Sequence, residues 1–241
     1  MADECYGHAR LAALYDPLDP DRGDLAAYLA LADEVGARSV LDIGCGTGVL
    51  ALLLADRGLD VVGVDPALAS VEVARAKPGA DRVRWLHGDA TALPPLRVDL
   101  ATMTGNAAQA VTDQDVWRAT LRGAYDALRP GGHLVFETRD PDRRAWEGWT
   151  RANSHQVAEV PGAGVIESWH ELTSVALPLV TFRATYVFAA DGVTLTSDST
   201  LRFRTRAEVE ADLAAAGFEV AGVRDAPDRP GLEFVFLARR P

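Results

Sequence analysis

The chain has 241 residues, of which 48% are apolar and 24% charged, with a formal net charge of −11. That length suits one domain with an insertion better than two full domains, and the charge speaks against a protein that tracks nucleic-acid phosphates with a basic face. Cys5 and Cys45 form neither a disulfide framework nor metal-ligand spacing, so no metal is expected. The opening MADECYGHAR lacks the apolar centre of a secretory signal, and no apolar run is long enough to span a bilayer. A cytoplasmic protein with neither membrane nor nucleic-acid partner is expected.

Residues 1–36 read as an N-terminal arm and helix. The turn-rich Tyr15-Asp16-Pro17-Leu18-Asp19-Pro20 precedes a helix that Asp24 can cap and Gly36 can stop. Strands follow at 39–43, 60–64, 83–87, 98–103 and 133–137, with helical runs after the first two and a long amphipathic helix before the last. Thr112 with Asp115 resembles the capping box of that long helix, whose apolar face carries Trp117, Leu121, Ala124, Tyr125 and Leu128. Alternating strands and helices predict an α/β fold: a doubly wound, mostly parallel sheet over 37–150 and 205–241. Residues 151–204 break the pattern. Val180, Phe182, Ala184, Tyr186 and Phe188 alternate with polar residues, as do the residues after Asp191-Gly192, predicting an inserted antiparallel meander. Thr205 with Glu208 then caps a last helix, and strands at 218–223 and 232–237 close the sheet.

The stretch that organises this chain is SVLDIGCGTG, residues 39–48. A strand enters a turn with Gly44, Gly46 and Gly48, and a helix leaves it. Glycine there lets backbone approach a ligand at the carboxyl end of a parallel strand. The dinucleotide pattern needs its third glycine at position 49, which is Val49, so the spacing favours a ligand without a pyrophosphate. Asp65 ends the second strand, ahead of Pro66. Its carboxylate can accept ribose hydroxyls, or it can simply cap the next helix. Asp89, after the third strand, can accept from an adenine amino group or serve the turn.

Three successive strands thus end in VLDIGCGTG, VDP and GDA. Together with LRPGGHLVFE, residues 128–137, they resemble the class I S-adenosylmethionine-dependent methyltransferases over 37–140 and about 205–240. The resemblance implies a seven-stranded Rossmann-like sheet in the order 3-2-1-4-5-7-6, with the last strand antiparallel. It implies S-adenosylmethionine over Gly44, Gly46 and Gly48, with Asp42 steadying the loop and the donor's ammonium. Asp65, with Pro66, would meet the ribose, and Asp89 and Ala90 the adenine. Thr104 and Asn106 would border the methyl group. The insertion is similar to that of amino-sugar N-methyltransferases, whose arm carries a tyrosine that closes over the donor; Tyr15 matches it.

Methyl transfer from a sulfonium chiefly needs alignment and exclusion of water, with a base only where the acceptor must lose a proton. His170 and His155 in the insertion are the candidate catalytic residues, with Glu137, Asp140 and Glu171 behind them. Trp146, Trp149 and Trp169 can wall an acceptor pocket or fill the core. The stretch after the fourth strand, Thr104-Gly105-Asn106-Ala107, carries no nucleic-acid methyltransferase motif, so N- or O-methylation of a small molecule is expected. A silent donor-binding module and an NAD oxidoreductase are the alternatives. The insertion's exposed face could pair two chains into a homodimer.

Overall fold

The structure, a computed structural model, describes residues 3–241; Met1 and Ala2, the first residues of the arm, lie outside it. The main sheet holds β1 (Ser39–Ile43), β2 (Asp60–Asp65), β3 (Val83–His87), β4 (Val98–Met103), β5 (Leu128–Arg139), β10 (Glu219–Asp225) and β11 (Glu233–Arg239). Their order is β10-β11-β5-β4-β1-β2-β3, the order the family resemblance implies. β1, β2, β3, β4 and β5 pair in parallel, and β11 lies antiparallel between β5 and β10. The strand order reverses between β1 and β4 at the sheet centre, where an open α/β sheet leaves a crevice beyond its carboxyl ends.

Both faces of the sheet are covered, which is why β1 is buried at every position. α4 (Ala26–Glu34) and α5 (Val49–Asp56) pack Leu25, Leu29, Leu50 and Leu54 on one face. α8 (Gln114–Ala127) and α10 (Arg206–Ala215) pack Trp117, Leu121, Val209 and Leu213 on the other. Phe136 is wedged there between Trp117, edge-on at 5.7 Å, and Phe236, stacked at 5.3 Å. A second, antiparallel sheet of β6 (Gln156–Val160), β7 (Gly164–Ala176), β8 (Leu179–Phe188) and β9 (Thr194–Arg202) forms the insertion.

Three short helices precede α4: α1 (Glu4–Gly7), α2 (Ala9–Ala12) and α3 (Tyr15–Leu18). They bridge the two sheets. The Cys5 amide donates to Ser197 Oγ on β9, and Ser70 Oγ, on α6 (Leu68–Arg75), donates to the Tyr6 carbonyl.

Several local expectations change. Asp24 does not cap α4. Its carboxylate is engaged by Arg22 at 3.2 and 3.3 Å, and a 3-10 turn over Gly23–Leu25 leads the helix in. Asp113, not Thr112, caps α8, because a capping oxygen must reach the second and third helical amides. These belong to Asp115 and Val116, at 2.8 and 2.9 Å. β5 runs from Leu128 to Arg139, longer at both ends than expected, because β11 pairs with it through Arg139 and Val98 on β4 pairs with Leu128. The Thr205–Glu208 capping box forms as expected.

Candidate functional site

A cavity of about 520 Å³ opens at the carboxyl ends of β1, β2, β3 and β4. Its floor is the glycine turn. Gly44 and Cys45 donate their amides to the Val64 carbonyl, tying the turn to β2. All three glycines have positive φ, but they serve differently. A Cβ on Gly44 would come within 2.7 Å of Ala107 Cβ, and one on Gly46 would meet nothing within 4 Å. Gly44 and Gly46 line the cavity. Gly48 does not: a Cβ there would strike the Trp85 ring and Ala74. Gly48, expected beside the donor, is placed instead where its lack of a side chain lets α5 pack against its neighbours.

Asp65 does not cap the next helix, which starts at Leu68 with Ala67 as its uncapped N-cap; its carboxylate serves the turns instead. Its Oδ1 accepts from the Ala67 amide at 2.7 Å and its Oδ2 from the Gly46 amide at 2.8 Å. The carboxylate therefore pins the glycine turn to the end of β2 and still lines the cavity beside Pro66. Burial raises its pKa, and those two amides partly offset the rise. Asp42 is more deeply placed, at 1% exposure, and Thr102 Oγ1 donates to its Oδ1 at 2.9 Å. Burial pushes the Asp42 carboxyl to about 7, with the negative field of Asp65 adding to the rise. No ion pair serves Asp42 among the described residues. A buried carboxylate without a cation is costly, and a positively charged ligand would relieve it.

Asp89 and Ala90 line the cavity at the end of β3. Asp89 also accepts from the Thr91 amide at 2.8 Å, so the turn reading holds alongside. Thr104 and Asn106 line the cavity after β4. Asn106 adopts a left-handed conformation (φ 63°), its amide donates to Glu137 Oε1 at 3.0 Å, and its buried Oδ1 has no hydrogen-bond partner among the described residues. Glu137 lies behind this loop rather than in the cavity lining, and burial pushes it to about 7.

The arm forms the roof, with Tyr6, Tyr15 and Arg22 facing the cavity. It is fastened at Asp16, whose Oδ1 accepts from Thr47 Oγ1 at 2.6 Å and whose Oδ2 pairs with Lys77 Nζ at 2.5 Å. Lys77 also donates to the Thr47 carbonyl at 2.7 Å. The single lysine of the chain thus clasps arm and glycine turn together.

The catalytic candidates lie further out. A second cavity, of about 210 Å³, adjoins the first beneath the second sheet, and His170 lines it. Burial and the nearby Arg139 guanidinium lower the His170 pKa, which keeps the ring neutral at pH 7. His155 lines neither cavity; its Nε2 sits 3.0 Å from Glu167 Oε1 on an exposed face. Trp146 and Trp149 pack with Phe203 in a core cluster, so they fill space instead of walling the site. Trp169 does line the second cavity.

Tyr6, Arg22, Thr47, Arg139 and Phe182 line the main cavity without having been singled out in the sequence. Thr47, inside the glycine motif, and Arg139, just past a strand that ends at the crevice, had a usable signal there. Tyr6, Arg22 and Phe182 come from segments remote from it.

Residues 40–132 match a family described as a methyltransferase domain. A cypemycin N-terminal methyltransferase from Streptomyces is 34% identical over 125 residues, covering 52% of this chain and 51% of that one. The chain spans about half the length of the curated relatives it matches. Among solved structures, CalS10, an amino pentose methyltransferase from Micromonospora echinaspora, is 25% identical, with a TM-score of 0.75 over 95% of this chain and 97% of that one. DesVI from Streptomyces venezuelae superposes with a TM-score of 0.76 at 21% identity, over 93% and 97% of the two chains. Residues 40–132 are thus similar to a methyltransferase domain, and the chain as a whole shares the fold of solved methyltransferases.

Proposed function

We propose that this protein is an enzyme that transfers a methyl group from S-adenosylmethionine to the nitrogen or oxygen of a small molecule. The observation that carries the reading is Asp42, a buried carboxylate at the glycine turn with a hydroxyl partner and no ion pair among the described residues. The donor carries an ammonium and a sulfonium, the charges such a site lacks. Asp42 would hold the ammonium and Arg22 the carboxylate. Asp65 would take the ribose hydroxyls on the lone pairs left free by the Gly46 and Ala67 amides. Asp89 and Ala90 would meet the adenine, with Pro66 beside the ribose. Gly44 and Gly46 would pass under the donor, Tyr15 would close over it, and Thr104 and Asn106 would border its reactive end.

When bound, S-adenosylmethionine supplies an electrophilic methyl on sulfur that a nucleophile takes in line. The chain's own residues orient the acceptor and keep water out, the arm doing so from above. His170, neutral and within the adjoining cavity, is placed to take a proton from a charged amine. We assign no such part to His155. The net charge of −11 supports a reading without nucleic acid, and the two free thiols support a cytoplasmic setting. No helix among the described residues is long and apolar enough to cross a membrane. Exposed Val157, Val165 and Val175 support pairing of two chains through the second sheet.

Calorimetric titration with S-adenosylmethionine, followed by labelled-methyl transfer to a panel of amines, phenols and carboxylic acids, tests the proposal. Donor binding with transfer is expected. Binding without transfer to any acceptor would favour a silent module, and no binding would end the methyltransferase reading.

A further inference from the structure

Glu137, near the carboxyl end of β5, is 6% exposed and lies behind the cavity lining. Its Oε1 accepts from the Asn106 amide at 3.0 Å, and the Gly105 amide also faces the carboxylate. The charged groups around it are Glu233 on β11, Arg229 ahead of β11 and Arg139 on β5 itself. Both arginines lie within ion-pair reach of Glu233, Arg229 at 2.7 Å and Arg139 at 3.5 Å, and neither pairs with Glu137. Burial carries the Glu137 carboxyl to about 7, the Asn106 amide opposing the rise and Glu233 adding to it. A buried carboxylate in this state favours a positive charge brought near it.

The turn that Glu137 holds needs an anchor from outside. Gly105 and Asn106 adopt left-handed conformations in succession, with φ of 64° and 63°. Within the turn, the Ala107 amide reaches the Thr104 carbonyl only at 3.3 Å, and Asn106 Oδ1 has no partner among the described residues. The other side of the turn, Thr104 to Asn106, lines the cavity. Ala107 sits so close to the glycine turn that a Cβ on Gly44 would come within 2.7 Å of it. The carboxylate therefore acts on the cavity through the thickness of one turn.

Resting on the reading above, we propose that Glu137 is a positioning residue for the donor's sulfonium. It seats the 104–106 turn against the reactive end of S-adenosylmethionine. As the negative charge behind that turn, it favours the cationic donor over the neutral S-adenosylhomocysteine left after transfer. Asp42 and Glu137, two buried carboxylates without ion pairs among the described residues, thus divide the donor's two positive charges, the ammonium and the sulfonium. Transfer removes the charge that Glu137 favours, which loosens the product. Since Glu137 does not line the cavity, it takes no proton from the acceptor.

The test is a binding ratio, read apart from turnover. Calorimetry gives the affinities of S-adenosylmethionine and S-adenosylhomocysteine at pH 5.5 and pH 8.5. Both compounds carry the ammonium, the carboxylate and the adenosine, so their ratio isolates the sulfur. As Glu137 loses its proton, the ratio should shift toward S-adenosylmethionine by about 3- to 30-fold, the scale of a partly screened pair at an effective dielectric constant of about 20. In Glu137→Gln, which cannot ionise, the ratio should be the same at both pH values. In Asp42→Asn, which loses the ammonium contact for both compounds, the shift should survive. A merely structural part for Glu137 would weaken both compounds equally and give no shift with pH. A ratio flat with pH in the wild-type protein would overturn the assignment. So would a shift kept in folded Glu137→Gln, or one lost in Asp42→Asn. If Glu137→Gln fails to fold, the wild-type protein and Asp42→Asn decide: a shift in both supports the assignment, and its absence from either overturns it. Binding of both compounds with a flat ratio leaves the donor reading standing, whereas failure of both to bind removes it, and this one with it.

Discussion

Replacing Asp42 by Asn should make the ligand-free protein more stable and its donor binding weaker. The carboxyl is fully enclosed, its one hydrogen bond comes from Thr102 Oγ1, and burial carries it from 3.8 to about 7. Between those pH values the folded state holds a proton that the unfolded state has lost, so stability falls as pH rises and stays low above about 7. At about 1.4 kcal/mol per pH unit, the charged carboxylate costs the fold about 4 kcal/mol at pH 8 as an upper bound. Asn has the same shape and cannot ionise. The variant should therefore gain about 2–4 kcal/mol at pH 8 and almost nothing at pH 4. For a chain of this size that is a rise in Tm of about 4–16 °C at the higher pH alone. Thermal melts of both proteins at pH 4, 6 and 8 measure it. Donor affinity, by calorimetry at pH 8, should fall by about 1–3 kcal/mol through loss of a charge-assisted contact. A stability gain that is the same at pH 4 and pH 8 would refute the assignment of cost to the charge. Unchanged donor affinity would refute the ammonium contact.

Gly46→Ala and Gly48→Ala should separate binding from packing. Gly46→Ala adds a methyl that meets nothing and should cost about 1 kcal/mol of stability for its positive φ, while weakening donor binding. Gly48→Ala drives a methyl into Trp85 and should cost about 2–4 kcal/mol, read as a lowered midpoint in urea. The reverse pattern would exchange their roles. Lys77→Met removes the clasp on Asp16 and the Thr47 carbonyl, a partly buried pair; proteolysis within the arm should quicken several-fold while the melt of the core changes little. An arm equally resistant in both proteins would mean that Lys77 does not hold it. Asp65→Ala unpins the Gly46 amide as well as removing a ribose partner, so donor affinity should drop by about 1–3 kcal/mol with some loss of stability. Unchanged affinity in a folded variant would leave Asp65 as a turn anchor alone.

The main sheet was legible in the sequence because its signals are local. An apolar run followed by glycine and a helical period identifies each strand and helix, and VLDIGCGTG, VDP and GDA each sit at a strand end. Parallel order then brings those ends to one crevice, so Gly44, Gly46, Asp65 and Asp89 could be named from position, and Asp42 and Ala90 from the family resemblance. Helix caps were less secure, since Asp24 and Thr112 depended on the exact first turn, which a neighbouring arginine and Asp113 decided.

What the chain could not express locally is the pairing of distant segments. That Gly48 faces Trp85 and not the cavity depends on which way a turn residue points once α5 is packed. That His170 lines a chamber while His155 lies outside it, and that Tyr6, Arg22 and Arg139 share one cavity, depends on the arm folding across both sheets. Those contacts join residues more than a hundred positions apart, such as Cys5 with Ser197, and no periodicity records them. Local pattern determined the fold and the donor side of the site. Tertiary closure alone decided the roof, the second chamber and the balance of charge within it.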